Sequence, residues 1–209
     1  MKQLNKISKE KAQRILFIAV LVLVFGVFFI SLSLLDPVDP PKIEEPPIDE
    51  PDDDVEPEII SAPYKATDVE IIRKFWTLDK EKEDQEISLI VYDTSYYMSK
   101  GVSYYADNQE FEVVASLSGI VKEITESSIY GIVVQIEHDN GLITEYMSLG
   151  EVNVAIGEEV AQGEVIGKAG VDEFDALAET HLHFRILIND QYADPEVMIG
   201  KTVDEIKQN

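Results

Sequence analysis

His181 and His183 are the two residues of this sequence whose type and spacing most directly suggest chemistry. They lie in an apolar run, HLHFRILI, that is typical of a β-strand. Alternate side chains of a strand face opposite sides, so both imidazoles should share one face while Leu182 and Phe184 turn to the core. Two imidazoles on an open face are potential metal ligands. Two surface histidines on a strand are also compatible with a purely polar role, so the pair by itself leaves both interpretations open.

The composition narrows the function classes. The chain has 209 residues, with 41 acidic against 17 basic side chains and a formal net charge of −24. Nucleic-acid binding requires clustered cations, so this charge argues against a nucleic-acid partner. Cysteine is absent, which excludes a disulfide framework, a zinc finger and a thiol nucleophile. The length is sufficient for one ordinary domain with appendages.

The N-terminal segment predicts a membrane anchor. Residues 15–35 contain no charged side chain and follow a basic tail, residues 1–14. As a helix they would span about 31 Å, close to the thickness of a bilayer core. The basic tail should stay cytoplasmic, which places the rest of the chain outside the cell membrane. A cleaved signal peptide is the alternative, although the apolar run is long for one and Ser31-Leu32-Ser33 is a poor cleavage site.

Residues 36–58 predict an extended linker. They hold seven of the nine prolines, with eleven acids and one base. Proline removes amide donors and the carboxylates repel one another, so this stretch cannot form a packed core. Fully extended it would reach about 70 Å. A stalk of functional length and a simple solvated tether both remain possible.

Residues 59–209 predict a mainly β, extracytoplasmic domain with small helical elements. Short apolar runs alternate with glycine-containing turns, and Asn140-Gly141 between two β-branched runs favours a hairpin with a type I′ turn. Residues 67–84 are ambiguous: DVEIIRKFW could form a helix or a strand, and KEKEDQE a loop or a helix end. The run ISLIVYD, residues 87–93, favours a strand.

The order of motifs resembles the LytM-type M23 zinc metallopeptidases over about residues 97–199. HLHF, the glycine pattern of residues 157–167 and the Y-x-x-L of residues 146–149 carry the resemblance. It implies a small LytM-type β-barrel or sandwich. In active members, H-x-G-x-D supplies two zinc ligands and the second His of H-x-H the third. The His of Y-x-H-L and the first His of H-x-H assist the water that attacks a peptidoglycan cross-bridge.

Position by position, the resemblance implies a site that has lost its ligands. Two zinc-ligand positions fall on Ser99 and Ser103, and only His183 remains. Of the two assisting positions, one is Ser148 and the other is His181. A catalytic zinc needs about three protein ligands, so we expect no zinc, no other cofactor and no catalysis.

Three other sets of residues bear on the chemistry of this site. A different metal geometry could recruit carboxylates such as Asp107 or Glu137. Ser148 beside His181 could form a nucleophilic pair, but no acid stands at a recognisable spacing. His138 matches a strand-end position of the family that is not a ligand.

A narrower resemblance concerns the residues before the M23 core. APYKATDVEIIRKFW and EISLIVYDTSYYMSKGV, followed by FEVVASLSGIV and YMSL, resemble the stage II sporulation protein Q family. This implies a forespore-membrane scaffold that binds stage III sporulation protein AH in engulfment and channel assembly. A regulator that activates a cell-wall amidase and a zinc endopeptidase with altered ligands are the alternatives. Retained binding to peptidoglycan stays open.

Four tyrosines are the candidate binding residues: Tyr96, Tyr97, Tyr104 and Tyr105. Tyrosine is favoured at interfaces, but these rings could equally fill space left by the lost metal chemistry. The domain from residue 59 carries a net charge of −18. If electrostatics steer its association, the partner should present a basic face and binding should weaken as salt rises.

Overall fold

The computed structural model describes residues 13–14, 16–23, 25–26 and 57–206. Contacts divide the chain into two units, Met1–Asp53 and Asp54–Asn209. The described residues of the first unit are helical. Within the described ranges, no helix has both the length and the apolar character needed to cross a membrane. Residues 15, 24 and 27–35 of the expected anchor and residues 36–56 of the expected linker lie outside these ranges, so both assignments stay predictions.

The second unit is mainly β-sheet with short helices, which confirms the predicted fold class at that level. The two 3₁₀ turns are Asp139–Gly141 and Ala176–Ala178. Its elements in chain order are β1 (Glu70–Arg73), α1 (Lys82–Ile87), β2 (Leu89–Tyr92), β3 (Ser95–Met98), β4 (Val102–Tyr105), β5 (Glu112–Val114), β6 (Gly119–Ser127), β7 (Gly131–Glu137), β8 (Leu142–Val152), β9 (Glu159–Val160), β10 (Val165–Ala169), β11 (His181–Ile188), β12 (Gln191–Ala193), α2 (Pro195–Met198) and α3 (Val203–Ile206).

One large sheet carries the functional positions. Its strand order is β1-β4-β11-β8-β7-β6-β9, with β10 pairing β5 and β8, and β12 pairing β11. Strand β11 therefore lies between β4 and β8, and β1 lies at one end of the order. Strands β2 and β3 form a separate two-stranded hairpin.

The alternation in β11 builds the core below the site. Leu182, Phe184 and Ile186 are fully buried, and the Phe184 ring packs against that of Tyr146 with centroids 5.2 Å apart. Large aromatic and branched side chains on alternate positions remove much apolar surface from water. This packing fixes the face of β11 on which His181 and His183 lie.

Two local features differ from or refine the sequence-based expectations. The hairpin at residues 131–152 is confirmed, but its strands are joined by the 3₁₀ turn Asp139–Gly141, not by a two-residue type I′ turn. The reason is that the His138 N–H donates to the Leu142 carbonyl at 2.9 Å, which closes a loop of four residues. Gly141 supplies the left-handed residue, with φ +78°.

The ambiguous stretch before the hairpin β2–β3 divides between both secondary structures. DVEIIRKFW contains strand β1, because pairing with β4 satisfies its backbone, and KEKEDQE leads into helix α1. The strand predicted in ISLIVYD is confirmed as β2.

Candidate functional site

The two histidines share one face of β11, as predicted, but that face is not open. His183 pairs in register with Ser103 of β4 and Met147 of β8, and His181 pairs with Tyr105. His181 is 0% exposed and His183 is 5% exposed. The expectation of an open imidazole face is therefore wrong. The reason is that the segment after β10, residues 170–179, folds back on this side and contacts the site.

His183 contacts Ser103, which the M23 resemblance aligns with a zinc-ligand position. Its Nδ1 lies 2.8 Å from the Ser103 hydroxyl, and its buried Nε2 has no hydrogen-bond partner among residues 57–206. Burial lowers the pKa of His183 well below its ordinary value, and the nearby Arg185, His181 and Arg73 lower this pKa further. A neutral imidazole is therefore the stable form at this position.

The segment of residues 99–103, which the resemblance aligns with H-x-G-x-D, lies against His183. A side chain on Gly101 would meet the Phe184 carbonyl and would come within 3.0 Å of His183 Nε2, so only glycine allows this approach. Ser99 is buried, and its hydroxyl donates to the Gly101 carbonyl at 2.8 Å. That hydroxyl is committed to its own backbone turn.

Ser148 forms a second buried polar cluster with His181. Its hydroxyl donates to Asp172 Oδ2 at 2.5 Å and lies 3.0 Å from His181 Nε2. Ser148 has φ +62°, a backbone strain that costs about 1–3 kcal/mol. The inference that no acid accompanies Ser148 and His181 is wrong. Asp172 is 24 residues from Ser148 in the chain, and no family motif marks it.

This cluster is not arranged as a nucleophilic triad. In a triad the acid binds the imidazole nitrogen opposite to the serine. Here His181 Nδ1 lies 2.9 Å from the Glu179 carbonyl, whereas Asp172 approaches Nε2, at 3.7 Å, on the same side as Ser148. Ser148 is fully buried, and its hydroxyl donates its hydrogen bond to the Asp172 carboxylate. The cluster therefore joins β8, β11 and the segment after β10 without a free nucleophile.

An ion pair closes the other side of the site. Arg73 of β1 makes two contacts with Asp175, Nη2 to Oδ1 at 3.0 Å and Nε to Oδ2 at 2.9 Å. The Arg73 side chain is 18% exposed and that of Asp175 is 3% exposed. Arg73 pairs in register with Ser103, which pairs with His183. Arg73, Ser103 and His183 therefore lie in one row across the sheet. The lone Arg in EIIR was the only sequence signal for this pair.

The donor set does not fit a catalytic zinc. In residues 57–206 and the described helical residues, no group of three or more His, Cys, Asp or Glu side chains could hold a metal ion. Serine hydroxyls are poor zinc ligands, and the Ser103 hydroxyl already contacts His183 Nδ1. The carboxylates considered as substitutes lie elsewhere: Asp107 is an exposed turn residue, and Glu137 pairs with Lys122 at 2.8 Å.

His138 has a structural environment. Its Nδ1 lies 2.8 Å from the Ser118 carbonyl and its Nε2 lies 2.7 Å from the Thr144 hydroxyl. Burial lowers the pKa of His138, and the backbone contact with Ser118 opposes that shift. The side chain therefore links β7 to its neighbours inside the domain.

The four candidate tyrosines occupy different environments. Tyr96 is 73% exposed, whereas Tyr104 is buried in the core and has no surface to offer a partner. The Tyr97 ring packs against Phe174 at 5.3 Å. Tyr105 is half-buried at the end of β4, next to β1.

Comparison with known proteins shows which family shares this fold. The sequence pattern of Peptidase family M23 matches residues 97–195. A structure of the SpoIIQ–SpoIIIAH pore-forming complex contains a chain 34% identical to this one, with a TM-score of 0.71 over 73% of this chain and 98% of that chain. The chain belongs to the M23 peptidase family. Within this family it is 37% identical over 141 residues to stage II sporulation protein Q of Bacillus subtilis, covering 67% of this chain and 50% of that protein.

The M23 fold also extends to a more distant zinc-containing peptidase of Vibrio cholerae. That structure is 22% identical, with a TM-score of 0.53 over 66% of this chain and 39% of that one. At this identity the likeness concerns the fold alone. The chain spans half the length of the curated B. subtilis relative.

The buried histidines predict a loss of stability in mild acid. The pKa of His183 and that of His138 are lowered in the folded state, so below about pH 6.5 the unfolded chain binds more protons than the folded one. The free energy of unfolding should therefore fall as pH drops below about 6.5, by up to about 1.4 kcal/mol per pH unit for each histidine.

The measurement is urea unfolding at pH 7.5, 6.5 and 5.5, compared with His183→Gln. The variant should lose up to half of the histidine-dependent slope, whatever its stability at pH 7.5. A slope that stays unchanged in His183→Gln would show that His183 titrates equally in both states.

Proposed function

We propose that this chain is a non-catalytic M23-like scaffold that binds a partner membrane protein resembling stage III sporulation protein AH. The observation that carries this proposal is the hydrogen bonding of the former catalytic positions to one another. Ser103 contacts His183, and Ser148 contacts His181 and Asp172, so none of these groups faces a substrate. A rigid β-domain without a reaction retains surfaces and sheet edges that bind other proteins.

The partner assignment draws on the similarity to stage II sporulation protein Q and to the chain in the SpoIIQ–SpoIIIAH structure. We extend the same proposal to location and layout. A cytoplasmic tail of residues 1–14, one membrane helix of residues 15–35 and a linker of residues 36–58 would hold the domain of residues 59–209 in the space between two membranes. This matches a role in sporulation, engulfment and channel assembly from the forespore membrane.

The absence of catalysis is part of the proposal and has a physical basis. Zinc supplies Lewis acidity and a water of pKa about 7 in such peptidases. One histidine with an unpaired nitrogen is an insufficient donor set for that ion.

Three assays on the full chain in detergent micelles test the function. The first measures binding to the purified extracytoplasmic domain of the SpoIIIAH homologue from the same organism. The second measures zinc per chain, and the third measures peptide release from purified peptidoglycan, with and without a cell-wall amidase. We expect saturable partner binding, no stoichiometric zinc and no release.

The other outcomes identify the competing functions. Zinc-dependent release that disappears in His183→Ala would identify an active endopeptidase. Peptide release that requires the amidase, and that is faster when this chain is added than with the amidase alone, would identify an amidase regulator. Lack of binding to the SpoIIIAH homologue would refute the scaffold proposal.

A further inference from the structure

Strand β1 ends the large sheet and has one free edge. It pairs with β4 through Glu70, Ile71 and Arg73, and within residues 57–206 no strand pairs with its other side. A free edge presents unpaired backbone donors and acceptors, which an extended peptide can bind by adding a strand.

A groove of about 380 Å³ lies beside this edge. It runs between β1 and residues 177–179, which precede β11. Its walls include Ile71, Ile87, Leu177, Tyr105 and Glu179. Ile71 and Ile87 are 38% and 39% exposed, and Leu177 is 72% exposed. Three apolar side chains from separate elements, all accessible at one groove, favour an apolar side chain of a partner.

The groove is also electronegative. Burial raises the pKa of the Tyr105 phenol, and the charges of Glu179, Asp107 and Glu70 raise this pKa further. Geometry places two of these acids: Glu179 lines the groove, and Glu70 pairs in register with Tyr105. The Arg73 guanidinium also lines the groove. It is paired with Asp175, so it does not neutralise the charges of Glu179 and Glu70.

We propose that the β1 edge and this groove bind an extended segment of the partner protein in which an apolar residue stands next to a Lys or Arg. The partner's backbone would extend the sheet beyond β1. Its apolar side chain would enter between Ile71 and Leu177, and its cation would lie near Tyr105 and the surrounding carboxylates. The inference rests on the proposed function and specifies the surface through which it operates.

Two substitutions test the groove in the full chain, each with a matched control. Leu177→Asp places a charge in the apolar wall, and Ile156→Asp places one at another exposed apolar residue, 64% exposed. Glu70→Lys reverses the acid that pairs in register with Tyr105 of the groove wall, and Glu126→Lys reverses an exposed acid of β6. The probe is the extracytoplasmic domain of the SpoIIIAH homologue, titrated at 50 and 300 mM NaCl.

We expect each groove variant to weaken binding at least tenfold and each control to change it less than twofold. Glu70→Lys should also reduce the salt dependence of the dissociation constant, because it removes attraction to the partner's cation. Hydrogen exchange on the wild-type chain supplies a readout that does not depend on variant folding: amides of residues 70–73 should become protected when the partner binds.

The outcomes separate the inference from the proposed function. If the wild-type chain binds while groove variants behave as controls and residues 70–73 gain no protection, the inference is wrong and the scaffold function stands. Binding that is absent in the wild-type chain overturns both. Self-association that Leu177→Asp abolishes would assign the edge to a second copy of this chain and overturn the inference.

Discussion

Replacing Arg73 by Met, or Asp175 by Leu, lowers the free energy of unfolding by about 3–5 kcal/mol, because each change leaves the other charge buried without its partner. The Asp175 side chain is 3% exposed, so water cannot replace the lost guanidinium. The double variant should cost much less than the sum of the two single variants, since it removes both charges together.

The measurement is chemical unfolding of the full chain, followed through the fluorescence of Trp76, its single tryptophan. We expect a coupling energy of at least about 2 kcal/mol between the two positions. The pair Lys168–Glu151 is the matched control, with side chains 40% and 53% exposed. Lys168→Met should cost less than about 1 kcal/mol. Additive effects of Arg73→Met and Asp175→Leu would contradict the role of this ion pair in closing the site.

Restoring two family ligands, Ser99→His and Ser103→Asp, should create a zinc site together with His183. We expect zinc affinity to rise at least a hundredfold over the wild-type chain, because a tetrahedral site with three protein ligands replaces a single imidazole. The backbone is already suitable, since Gly101 lies against His183 Nε2. Zinc per chain after dialysis, and competition with a chelator, measure the effect.

Two further variants define the cause. Adding His183→Ala to the restored chain should abolish the gained affinity, because the third ligand disappears. Adding Arg73→Met with Asp175→Leu should change it little, because a cation and its paired anion are removed together and the net charge near His183 stays the same. One equivalent of zinc bound by the wild-type chain, and lost in His183→Ala, would refute the account of this site.

Both predictions concern the same sheet face, on which hydrogen bonds and an ion pair connect separate strands. In a zinc peptidase the ion holds side chains of several strands together. Here Ser103–His183, Ser148–Asp172 and Arg73–Asp175 connect the strands and the covering segment. These contacts cross-link the sheet and the covering segment through protein groups alone.

The sequence by itself determined that His181 and His183 lie on a strand and that residues 131–152 form a hairpin. It also determined the family to which the chain belongs. Alternating apolar residues specify a strand because its side chains alternate between two faces. The motif order predicts that serine occupies three positions at which active relatives carry zinc ligands or an assisting histidine. These features are local, so they can be read from neighbouring residues.

Only the tertiary structure decided how that site is closed and which surface remains open. Arg73 and Asp175 are 102 residues apart, and Asp172 reaches Ser148 from a segment without a motif. The choice of strand for residues 70–73 depended on pairing with β4, and that pairing also created the free edge of the sheet. Long-range contacts of this kind depend on how the strands assemble, because no local periodicity encodes which distant residues will meet.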